Sequence, residues 1–183
     1  ANQALLMLGA RPIVSFEDDT TEANALKVLY PASKGQVLRA YPWRCATKTV
    51  TLATLADPPV NTEWTHAQAV PEDSIRIIRI IEAAYPNNPS PDWTVEGRTV
   101  LTKIANVVCE YIYDVPEPQM DFHVQMALAA KVAVDLSYTL TASGPRESQL
   151  AQMFEAKLEE ARTTDRQEAS HKTFTIDQLT AVR

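Results

Sequence analysis

The chain has 183 residues, 45% hydrophobic and 22% charged, and its 17 basic against 23 acidic side chains leave a formal net charge of −6. That length supports one domain, or one domain with an appendage, and the composition is that of a soluble globular chain. The acidic balance argues against tight, nonspecific nucleic-acid binding, which rests on many clustered Lys and Arg, and the longest apolar runs fall short of the roughly 20 residues a bilayer span needs.

In chain order, "ANQALLML" predicts a first helix, stopped at Gly9 with Pro12 just beyond. The N-terminus lacks the basic and apolar regions of a signal peptide. The loop "SFEDDTTE" follows, and its acids Glu17, Asp18 and Asp19 read as complementing the positive end of the next helix rather than as a cation site. A second helix is expected from about Thr20 to Ala40. Its apolar phase, through Leu26, Leu29, Tyr30, Ser33, Val37 and Tyr41, continues across Pro31, which therefore predicts a kink and not an end. In "VLRAYPWRCATKTVTLA" the periodicity changes from helix to strand at Pro42-Trp43.

The middle of the chain reads as sheet. The expected strands are "TKTVTLATL", "EWTHAQAV", "SIRIIRII", "DWTVEG", "RTVLTK" and "NVVCEYIYDV", with connections too short for crossover helices, hence antiparallel. Glu96-Gly97 marks a tight hairpin. "SIRIIRII" has helix-like spacing, but its β-branched isoleucines favour a strand. A third helix is predicted from near Pro118 to about Ala142, with an apolar stripe of Phe122, Met126, Ala129, Ala133, Leu136 and Leu140. Gly144-Pro145 separates it from a fourth, carrying Leu150, Met153, Phe154, Leu158 and Ala161 and running antiparallel to it. The polar remainder after Arg162 predicts an extended arm. Its scattered apolar residues, Phe174, Ile176, Leu179 and Val182, are candidates to lie in a partner's groove.

The predicted fold class is α+β: a bundle of helices with a long antiparallel hairpin, packed with a central antiparallel β-sheet region. One domain spans 1–162, with helical parts at 1–41 and 118–162 and the β region 47–113 inserted between them; the arm is 163–183.

The pattern of reactive residues offers little chemistry. Phosphate-cradling glycine motifs, HExxH and GxSxG are absent from the sequence. Cys45 and Cys109 read as free thiols, and His66, His123 and His171 lie in unrelated segments, so no catalytic, metal or cofactor residue is assigned. Glu82, Asp92 and Glu96 read as solvated acids near turns. Arg76 and Arg79 could face a carboxylate or a phosphate, or guard a strand edge.

One set of residues carries a resemblance by its order: Tyr30-Pro31, Val37-Leu38-Arg39, Pro42-Trp43 with Ala46, Trp64, Val70-Pro71, Asp73, Ile75-Arg76-Ile77, Val95-Glu96-Gly97-Arg98 with Leu101-Thr102, Tyr111-Ile112, Phe122 and Leu128-Ala129. Over residues 1–162 this resembles the tail tubular protein A family of short-tailed bacteriophages, although Arg44-Cys45 stands where an Asn-Phe pair often follows the Pro-Trp. The resemblance implies a structural virion protein and no enzyme: a head-to-tail adaptor, in a ring of twelve copies between the portal protein and the tail nozzle. It also implies that DNA passes through the ring without sequence-specific binding, and that the ring is assembled in the host cytoplasm. Pro31, Pro42 and Trp43 would then form a structural joint between portal-facing helices and a nozzle-facing sheet. The alternative from the residues alone is a non-viral cytoplasmic protein-binding module without catalytic activity, and after it an unrecognised hydrolase.

Overall fold

The computed structural model describes residues 1–84, 90–141 and 144–168. The described elements run α1 (Asn2–Leu8), α2 (Thr21–Ala40), β1 (Thr47–Thr51), β2 (His66–Ala69), β3 (Ser74–Glu82), β4 (Trp93–Glu96), β5 (Thr99–Thr102), β6 (Val107–Tyr113), α3 (Phe122–Thr141) and α4 (Gly144–Gln167). The fold is α+β.

Local chemistry sets the helix ends. α1 stops at Gly9, whose φ of 73° is the left-handed conformation that a residue without Cβ adopts freely. Thr20 caps α2 by accepting from the Ala23 N–H at 3.2 Å. Of the acids before it, Asp18 accepts from the Val14 and Ser15 amides of the loop, and Glu17 pairs with Lys27 of α2 at 2.7 Å. α2 runs through Pro31. α3 begins at Phe122 rather than near Pro118, because Glu117–Gln119 form a separate 3₁₀ turn and Asp121 caps the helix through the His123 N–H. Phe122, expected on the buried stripe, is 63% exposed. Further along, α3 buries residues on most sides, among them Val124, Ala127, Ala130, Val132 and Leu136, because α1, α2 and α4 all pack on it.

The sheet region divides in two, where a single central sheet was expected. One sheet has the order β1-β6-β3, the other β2-β5-β4, and every pairing is antiparallel. The expected strand over 47–55 stays in the first sheet only to Thr51. Beyond Leu52 it crosses to the second, where Thr54 bridges Gln68. The hairpin between β4 and β5 turns on Gly97 and Arg98, one residue later than expected, with Gly97 at φ 60° in the first turn position as a type II′ turn requires.

Two irregularities in β3 explain the helix-like spacing of "SIRIIRII". The register with β6 shifts between Ser74 and Arg76 and again between Ile77 and Arg79. Each bulge restores the alternation that the sequence breaks. Ile75 and Ile78 thus meet the helical core, while Ile77 and Ile80 meet a second one. β6 divides in the same way, Ile112 facing the helices and Val107, Cys109 and Tyr111 the second cluster. The first sheet is therefore a middle layer. Helices cover one face, and the other packs toward the β2-β5-β4 sheet through Leu52, Val100 and Trp93.

Candidate functional site

The helix-to-strand joint at residues 41–47 is built around a fully buried tryptophan. The last carbonyls of any α-helix lack intrahelical donors. Here the Trp43 indole N–H donates to the Val37 carbonyl at 2.8 Å, so the side chain that fills the core also satisfies the end of α2. Its ring packs at a tilt on Tyr41, with centroids 4.9 Å apart. The Trp43 carbonyl in turn accepts from Thr47 Oγ1 at 2.7 Å and from the Ala46 N–H at 3.0 Å, which turns the chain into β1. Pro42 is exposed and lines an open cleft of about 520 Å³ with Tyr41, Arg44 and Asp165. Pro31 is not part of this joint. It lies mid-helix, in a different cleft with Tyr30, Lys34 and Glu117.

Sequence reasoning missed the third component of the joint, which is the end of α4. That helix continues to Gln167 instead of giving way to an arm after Arg162. Its Asp165, whose side chain is only 10% exposed, accepts from the Arg44 backbone N–H at 3.0 Å and lies 3.5 Å from the Arg44 guanidinium. Arg44 also donates to the Glu168 carbonyl at 3.1 Å, and Arg166 stands over the Tyr41 ring. Truncation after Arg162 should therefore cost about 2 kcal/mol in urea melts, the scale of hydrogen bonds to a charged group. Truncation after Glu168 keeps Asp165 and the Glu168 carbonyl and serves as the control; equal melts for both truncations would disprove the anchoring role of Asp165. Phe174, Ile176, Leu179 and Val182, and His171 with them, lie outside the described residues.

The charged clusters of the described residues are ion pairs and hydrogen-bond networks. Lys34, 13% exposed, sits 2.7 Å from Asp114 and 3.3 Å from Glu117, and the Tyr30 hydroxyl donates to Glu117 at 3.0 Å. Burial works to raise the Glu117 carboxyl, but hydrogen bonds from its own backbone, Tyr30 and Lys34 hold it below the usual range. Burial, with the Glu117 charge behind it, raises the Tyr30 phenol and keeps it protonated. Between α2 and α3, the buried Ser33 hydroxyl lies 2.6 Å from Asp135, which is also paired with Lys131. At the mouth of β3, Asp73 binds Lys48 at 2.8 Å and accepts from the Tyr111 hydroxyl at 3.0 Å. The Lys48 hydrogen bond, more than any other contact, lowers the Asp73 carboxyl; Tyr111 is pushed up to about 12, chiefly by burial and then by Asp73.

Burial likewise raises the Cys45 thiol, and pushes Cys109 up to about 11, away from the thiolate form that reacts. Among the described residues no group of three His, Cys, Asp or Glu side chains is placed to hold a metal ion, and no helix is long and apolar enough to cross a membrane. The two arginines of β3 separate in role: Arg79 pairs with Glu110 across the strand, while the Nε of Arg76 is buried without a hydrogen-bond partner. Asp92 faces Lys103 at 3.7 Å, and Glu96 ends the β4 strand at the hairpin. Set beside protein-family models and curated protein sequences, the chain matches none of them.

Proposed function

We propose that this protein is a structural head-to-tail adaptor of the tail tubular protein A type, whose copies form a ring between portal and tail nozzle around the DNA channel. The observation that carries the reading is the Pro42-Trp43 joint. These residues anchor the ordered set of positions resembling that family, and Trp43 ties the end of α2 into the core that also holds Ile112 of the first sheet. An adaptor has to hold two partner-facing parts at a set angle, and a joint fixed by a buried ring, a capped helix end and a third helix suits that task.

A closed ring of identical subunits needs two different complementary surfaces on each copy. Large apolar side chains are exposed on both sides of the molecule: Val28, Phe122 and Tyr138 on the helices, and Val50, Leu55 and Val95 on or beside the strands. At 45% hydrophobic, the composition carries no excess of apolar residues that would force self-association. The free protein is accordingly expected to sediment as a monomer and to enter a large ring only when purified portal is added. A stable two-fold dimer indifferent to portal would overturn the adaptor reading in favour of a protein-binding module. The acidic balance suits a conduit wall, which must let DNA slide past.

A further inference from the structure

On the face where β3 meets the β4-β5 hairpin, a cleft of about 380 Å³ is lined by three arginines, Arg39, Arg76 and Arg98, together with Val70, Ile77 and Trp93. They come from three elements: Arg39 from the last turn of α2, Arg76 from between the two bulges of β3, and Arg98 from the hairpin turn. Two of the guanidinium groups are held by backbone. Arg39 donates to the Ile75 carbonyl at 2.9 Å and Arg98 to the Pro71 carbonyl at 3.0 Å. A guanidinium has five N–H donors, so each keeps most of its fork free.

Among the described residues, none of the three is in an ion pair with a carboxylate. Of the acids beside the cleft in sequence, Asp73 is bound by Lys48 and Tyr111, and the exposed Glu72 and Glu96 are not among the residues that line it. Arg79, the neighbouring arginine of β3, is neutralised by Glu110. The cleft thus concentrates like charge in a molecule whose net charge is negative, and it does so around a buried guanidinium Nε with no partner. That Nε is enclosed by protein, so the donors an incoming group would meet are the outer N–H groups of the three forks.

We propose that this cleft is a binding site for a small, multiply charged oxyanion of the phosphate class. A tetrahedral phosphoryl group directs its oxygens apart and can accept from forks arriving from three directions, whereas a single planar carboxylate is filled by one or two. Trp93 and the valine and isoleucine walls lower the local dielectric, which strengthens each charged hydrogen bond. The site is independent of the adaptor reading, since nothing in its geometry needs a ring.

The experiment is calorimetric titration of the full chain with inorganic pyrophosphate at low ionic strength. One saturable site is expected. Arg76→Met keeps most of the side-chain volume and should weaken binding by about tenfold or more. Arg98→Ala, at the exposed hairpin turn, should also weaken it, while Arg79→Met should not. A single-stranded oligonucleotide and an acidic peptide are titrated in parallel to identify the source of the charge. Absence of saturable pyrophosphate binding, or equal affinity in wild type and both cleft variants, overturns the proposal. Arg76-dependent binding of the oligonucleotide or the peptide in place of pyrophosphate overturns the assignment to a small anion.

Discussion

Trp43→Ala should destabilise the protein by about 3–5 kcal/mol, the range for deleting a large buried aromatic. Two losses act together. The ring is fully buried in the helical core, so its removal leaves a cavity that the surrounding backbone can only partly close. Its indole N–H is also the donor to the Val37 carbonyl, which would be left buried and unpaired. Trp43→Phe separates the two, because it refills much of the cavity but restores no donor. In denaturant melts the Phe variant should recover most of the loss and still fall about 1–2 kcal/mol below wild type. A loss below about 1 kcal/mol for Trp43→Ala would mean that the joint is not anchored by this residue.

Ile112→Ala should cost about 2–5 kcal/mol and act on the whole molecule. Ile112 is fully buried on the helical face of β6, the central strand of the middle layer. Val100→Ala provides the contrast. Val100 is just as buried, but in the cluster between the two sheets, and truncating it removes less apolar volume. Hydrogen exchange should then report faster opening confined to β2, β4 and β5 for Val100→Ala, and faster exchange in helices and both sheets for Ile112→Ala. Uniform acceleration in the Val100 variant would show that the outer sheet does not open separately.

Much of this architecture was legible because it is local. Gly9 stopping the first helix, Thr20 opening the second and the isoleucine-rich strand are each decided within a few residues. What was not legible depends on distant partners. The last turn of α4 is polar and reads as the start of an arm; it is helical against a joint more than 100 positions away, through Asp165 and Arg44. The division into two sheets turns on where one segment leaves its partner near Leu52, and no residue there announces it. The stripe expected on α3 is buried at Ala129, Ala133 and Leu136 but fails at Phe122, the first residue of the helix, and burial spreads beyond the stripe because three other helices pack on α3. At the arginine cleft, Arg76 was visible as a candidate, but Arg39 and Arg98 are brought to it only by the fold.

The middle sheet also sets the order in which the chain can become a protein. β1 pairs with β6 from Thr47 against Ile112 to Thr51 against Val108, and α1 packs on α3. The first two helices and the first strand therefore leave the ribosome long before the surfaces that cover them, and closing such long loops costs entropy before any contact repays it. Completion of the helical core waits for α3. Until it arrives, Leu5, Leu26 and Trp43 lack the helix that covers them, and the nascent chain passes through a stage in which some of its largest core side chains are open to wrong partners.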